Sequence, residues 1–105
     1  MAVRVKNEKG FLVIAMTTVE AIHDCDFGYS DDEKGEYYLL CDNCNELLNI
    51  HPEKHPVVYY VAVLNRLFCA KCYKEWYATA TRYDEDIPYE ERYFNKYAKK
   101  LNLIV

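Results

Sequence analysis

The chain lacks an excess of positive charge: 13 lysines and arginines stand against 17 aspartates and glutamates, a formal net charge of −4 over 105 residues. A non-specific nucleic-acid binder neutralises phosphates with clustered Lys and Arg, so this balance argues against that class and favours basic partners. Long apolar runs are missing too. The longest near the N-terminus, Phe11 to Met16, falls far short of the roughly 18 residues a spanning helix needs. No basic region precedes a long apolar stretch, so the expectation is a chain with no signal peptide and no membrane partner. Neither a glycine-rich phosphate loop nor a nucleophile elbow occurs, and the carboxylates gather in loops and helix starts where solvation and capping explain them. Hydrolytic or transfer catalysis therefore has little support. There is no internal repeat and no low-complexity tract. The length suits one domain with a modest core, in which a metal tie helps where that core is thin.

What is present is cysteine in a particular order. Five cysteines leave one over from any paired framework, which fits a reducing, cytoplasmic interior better than secretion. Four of them form two pairs, Cys41-Asp-Asn-Cys44 and Cys69-Ala-Lys-Cys72, with 24 residues between. This spacing points to one four-thiolate zinc site with Cys41, Cys44, Cys69 and Cys72 as ligands. A Zn–S bond of about 2.3 Å places tetrahedral sulfurs about 3.8 Å apart, a separation that two intervening residues in a tight turn can present. Such a site is closed and structural, with no open position for a catalytic water. Zinc with four thiolates would take the net charge to about −6.

The rest of the chain sorts around these pairs. Val3 to Lys6 alternates apolar and charged residues, Asn7 to Gly10 supplies turn chemistry and Phe11 to Ala15 is β-prone, so a hairpin is expected, lying outside the metal site. Thr17 and Glu20 have capping-box spacing, which predicts a short helix from Thr18 to about Asp24. Residues 26 to 35 are acidic with two glycines and are expected to form a solvated loop. A strand over Glu36 to Leu40 then delivers Cys41, and Asn45 follows Cys44 where a left-handed residue is needed. Val57 to Val63, a turn over Leu64 to Arg66, and Leu67 to Cys69 make a second hairpin. Tyr73, Trp76, Tyr77 and Ala80 recur at helical spacing, so Cys69 and Cys72 fall in the first turn of a helix, whose dipole and free N–H groups favour thiolates. The tail is an amphipathic helix: Asp84, Glu85, Asp86, Glu90 and Glu91 crowd its start, Lys96, Lys99 and Lys100 its end, and Tyr89, Tyr93, Phe94, Tyr97 and Leu101 form an apolar stripe. The expected class is α+β, a small zinc-stabilised single domain: residues 1–35 carry the N-terminal hairpin, short helix and acidic loop, 36–82 the zinc module, and 83–105 the C-terminal helix.

A knuckle with two cysteines, a hairpin, then a helix opening on two more resembles the treble-clef group of zinc folds, over residues 37 to about 80. The resemblance implies the same four ligands and a closed site. Asp42 and Asn45 depart from it, since many such knuckles carry Pro and Gly there. The group serves protein, nucleic-acid and ubiquitin binding and parts of enzymes, so it implies a scaffold and no single function. The segment Cys41 to Asn45, with Tyr60 to Cys69, is also similar to short proteins carried on bacterial phages and other mobile elements. That similarity implies a small intracellular inhibitor or regulator of a host or element-encoded protein.

Other chemistries compete for these residues. As a dithiol oxidoreductase, Cys69 and Cys72 beside Lys71 would be the active pair, with Asp42 disfavouring a thiolate at Cys41; no βαβ context supports it and the first pair goes unexplained. His23, Cys25, His51 and His55 could supply a second metal, but Pro52 and Pro56 break the helix that the His51/His55 spacing requires, and Cys25 reads as a small buried apolar residue. Eleven tyrosines exceed what so small a core readily hides. Tyr60, Tyr73, Tyr77 and Tyr93 fall on apolar faces, while Tyr59, Trp76, Tyr89 and Tyr97 are candidate partner contacts. The sequence thus points to a non-enzymatic, zinc-binding protein-interaction or regulatory module, with a nucleic-acid-binding zinc ribbon as the alternative.

Overall fold

The computed structural model describes residues 2–31, 33–50 and 53–103. Its elements run β1 (Val3–Val5), β2 (Val13–Met16), α1 (Thr18–His23), β3 (Tyr29–Asp31), β4 (Glu36–Tyr38), β5 (Val58–Val61), β6 (Arg66–Cys69), α2 (Ala70–Thr79), a 3₁₀ turn (Asp84–Asp86) and α3 (Ile87–Lys100). The class is α+β. The two expected hairpins do not stand apart: β2 pairs antiparallel with β5, giving one four-stranded sheet in the order β1-β2-β5-β6.

Side chains alternate between the faces of this sheet, and both faces are covered. The register aligns Ile14, Tyr60 and Leu67 across three strands, all buried. On that face the Tyr97 ring of α3 lies 4.6 Å from Tyr60 and 4.7 Å from Phe27. Tyr60 tolerates complete burial because its hydroxyl donates to Asn65 Oδ1 at 2.7 Å. On the other face Tyr59 and Phe68 meet α2, with Tyr59 stacked on Tyr73 at 4.5 Å and Phe68 edge-on to Trp76 at 6.4 Å. The sheet is thereby sandwiched between α2 and α3.

Two polar ties join the N-terminal hairpin to the C-terminal half. Lys9 reaches from the β1–β2 loop to the end of α2, where its ammonium donates to the carbonyls of Tyr77 and Ala80. A cation there satisfies orphan carbonyls and complements the helix dipole. Glu90 of α3 is 1% exposed. It accepts from the Leu12 backbone N–H at 3.2 Å and from Arg82 Nη2 at 2.8 Å. The sequence places Glu90 among charges answering the helix dipole; with Arg82 it instead forms a largely buried ion pair.

Several expectations hold with shifted edges. The capping box at Thr17 and Glu20 forms as expected and starts α1. Strand β2 begins two residues later than Phe11, and the β5–β6 turn is entered at Ala62, with Leu64 N donating to Val61 O and Asn65 N to Ala62 O. The acidic stretch 26–35 is not a plain loop, because β3 and β4 form a two-stranded hairpin there, pairing Tyr29 with Tyr38 and Ser30 with Tyr37. Gly28 makes its entry possible: with φ of 94°, any Cβ would sit 2.6 Å from the Tyr38 carbonyl oxygen. Among the described residues no helix is long and apolar enough to cross a membrane.

Removing one member of a buried ion pair leaves the other charge unpaired. Glu90→Ala should therefore destabilise the protein by about 2–4 kcal/mol, somewhat below the cost for a wholly buried pair because Arg82 keeps some contact with water. A lowered urea midpoint at unchanged slope checks this; an unchanged midpoint would show that the pair contributes nothing.

Candidate metal centre

The first cysteine pair sits on a backbone knuckle that follows β4. Leu40 and Leu47 form a bridge across its base. Above it, Cys41 N donates to Glu46 O at 3.0 Å and Asn45 N to Cys41 O at 2.9 Å. Asn45 has φ of 62°, the left-handed conformation anticipated from its position, which Asn accommodates nearly as well as Gly. Asp42 clamps the knuckle to the sheet. Its N–H donates to Leu67 O at 2.8 Å and its carboxylate accepts from Leu67 N at 2.7 Å, so the residue that departs from the usual knuckle pattern has a bonding role of its own.

The second pair sits where β6 becomes α2. Cys69 is the N-cap of α2, its sulfur accepting from Cys72 N at 3.5 Å, a longer counterpart of the Ser or Asp cap. Its own N–H donates to Cys41 Sγ at 3.3 Å. All four sulfurs lie within 4.8 Å of one another, and Cys44 and Cys69 Sγ are 4.0 Å apart. Cys41, Cys69 and Cys72 are buried, and Cys44 is exposed. A metal ion coordinated by four thiolates fits this group, since the 4.0 Å Cys44–Cys69 separation and the 4.8 Å limit lie close above the roughly 3.8 Å edge of a zinc–thiolate tetrahedron.

The proton affinities diverge within the cluster. At Cys41 burial works upward, but N–H donors from Cys44, Cys69 and Asn43 outweigh it and hold the thiol below its ordinary value. Cys69 is pushed up to about 12, first by burial and then, against the Cys72 N–H, by the neighbouring sulfurs. At Cys44 the Glu46 N–H works downward, yet burial and the sulfurs of Cys41 and Cys72 leave it raised. Four sulfurs this close cannot all ionise comfortably without a cation among them.

The remaining candidates lie elsewhere. Cys25 is 2% exposed in the apolar core and pushed up to about 11, chiefly by burial and partly offset by the Lys100 charge. His23 is exposed, its ring 6.1 Å from that of Tyr37. His55 Nε2 lies 3.3 Å from Glu46 Oε1, and His51 falls outside the described residues. Only the four paired cysteines gather as a metal group among the described residues.

The contact candidates divide. Tyr89 is 57% exposed. Tyr59 and Trp76 are half-buried in the aromatic layer under α2, with Trp76 4.8 Å from Phe11. Tyr97 is buried among Tyr60 and Phe27 and is a core residue; of its stripe on α3, Phe94 and Tyr97 are buried while Tyr89 at the N-terminal end stays exposed. Sequence reasoning missed Tyr29, Tyr37 and Tyr83, each more than half exposed. Strand alternation around the half-buried Tyr38 is the signal that would have turned Tyr37 outward.

Asp42→Ala removes the acceptor for a buried N–H and should cost about 1–3 kcal/mol. Asp42→Asn, which keeps an oxygen, should cost less; equal melting temperatures for both variants and the wild type would refute the clamp. Burial should also keep Cys25 unalkylated by iodoacetamide at pH 8 in the folded protein. Because its thiol is raised from 9.0 to about 11 on folding, its contribution to stability is full below pH 9 and is lost as pH rises toward 11. Cys25→Ala should flatten that part of the alkaline stability profile. Comparison of the chain with protein-family models, curated proteins and solved structures returns no match.

Proposed function

We propose that the chain binds one structural zinc ion through Cys41, Cys44, Cys69 and Cys72 in a treble-clef-like core, and that it works as a non-enzymatic protein-interaction or regulatory module. The observation that carries this reading is the closed cluster: four sulfurs within 4.8 Å, three of them buried, ordered by backbone N–H donors. A metal held so leaves no position for substrate or water, and its contribution is folding free energy. Convergence of all four cysteines also accounts for both pairs, which a dithiol oxidoreductase does not.

Exposed aromatic side chains on several elements support the interaction half of the proposal, since Tyr joins large contact area to a polar tip. We take the target to be a host or element-encoded protein, which is what the resemblance of the cysteine segments to short phage and mobile-element proteins implies. The acidic balance of the chain weighs against a nucleic-acid-binding zinc ribbon.

Elemental mass spectrometry of the purified protein should find about one zinc per chain, with four thiols protected in the native state. Cys44→Ser and Cys72→Ser should each lose metal and lower the melting temperature, with residues 37–80 loosened. Unchanged zinc content in both variants would end the four-cysteine assignment. For the interaction, a saturable complex of fixed stoichiometry with a purified protein partner supports the module. Binding confined to DNA or RNA and falling steeply with salt would transfer the function to the ribbon.

A further inference from the structure

Outside the metal centre, two exposed apolar side chains flank a groove between α1 and β4. Val19 on α1 is 62% exposed and Tyr37 on β4 is 52% exposed. Between them lies a groove of about 330 Å³ lined by Thr18, Val19, Ile22, His23, Tyr37 and Asn49. That volume is at the small end of ligand sites, about 300–1,000 Å³, and suits one or two side chains of a peptide. The chain around it is strongly acidic. Among the described side chains from residue 20 to 36 are Glu20, Asp24, Asp26, Glu33 and Glu36, against Lys34 alone.

We infer that this groove docks a basic peptide segment of a partner protein, with one or two apolar side chains seated against Val19, Ile22 and Tyr37 and flanking Lys or Arg residues facing the acidic stretch. Charge complementarity selects this occupant: the local acidity and the net charge of −4 both attract cations and repel acidic segments or nucleic acid. The inference rests on the protein-interaction reading above and names the chemistry of the partner.

One wall of the groove is built on the metal knuckle. Asn49 donates from its side-chain nitrogen to Tyr37 O at 2.7 Å and accepts at Oδ1 from Leu39 N at 2.9 Å. Leu48 N donates to Leu39 O at 2.7 Å, and the Leu40–Leu47 bridge follows directly. The ladder that positions Tyr37 and Asn49 is thus the one closed at its far end by Cys41 and Cys44. The opposite wall, α1, is held independently by its capping box. Metal removal should therefore loosen one side of the groove and weaken docking.

The test is selection of random twelve-residue displayed peptides on the zinc-loaded full chain, followed by titration of a selected synthetic peptide. The expected consensus combines Lys or Arg with apolar anchors. Val19→Lys and Tyr37→Ala, both at exposed positions that leave the fold intact, should each weaken binding about tenfold or more. Tyr83→Ala, at another exposed tyrosine, should leave it unchanged. Affinity should fall with rising salt and on chelation of the metal. An acidic consensus, or failure to select any peptide, overturns the inference. So does concentration-dependent self-association blocked by Val19→Lys, which would make a second copy the occupant. A peptide that binds well but ignores both groove variants overturns the groove while leaving the interaction-module reading standing.

Discussion

Four sulfurs brought within 4.8 Å of one another, on cysteines of which three are buried, are the constraint around which the middle of this chain is organised. Bringing thiolates together costs Coulomb repulsion and desolvation, and backbone N–H groups offset only part of it. Two of these N–H donors come from the second pair, Cys69 N reaching the Cys41 sulfur and Cys72 N the Cys69 sulfur. A divalent cation would supply the remainder and cross-link the two halves of the cluster.

The clamp around Asp42 extends that cross-link into the sheet. By bonding Leu67 through both its backbone and its carboxylate, Asp42 fixes the knuckle relative to β6, the strand that runs into Cys69. The same sheet carries β2 and β5 side by side, so the N-terminal hairpin becomes part of the layer that holds the cysteines. Packing of α2 on one face and α3 on the other then completes the domain with aromatic rings, each interface anchored by a tyrosine of β5.

Much of the metal site was legible because ligand spacing along the chain is set by covalent geometry, and Asn45 was legible because few residues tolerate a left-handed backbone. The capping box was equally local. What escaped was set by distant contacts. Glu90 looked like a solvated helix-start charge, and only the approach of Leu12 and Arg82 makes it a buried acceptor. Tyr97 lay on a stripe that could face either a partner or the sheet, and periodicity does not distinguish the two. The β3–β4 hairpin hid behind acidic residues, its signal reduced to tyrosines paired across a short ribbon and one glycine pressed against a carbonyl.

The ties between the chain's two ends also order events in time. Lys9 finds its acceptors 68 and 71 residues downstream, and Leu12 finds Glu90 after 78. Strand β2 has its second neighbour only once β5 exists. During synthesis the β-prone run from Phe11 to Met16 must therefore wait, unpaired on one edge, until most of the polypeptide has emerged from the ribosome. That interval is when the nascent chain is most exposed to mispairing with a neighbour, and its length is set by these long-range contacts rather than by the metal.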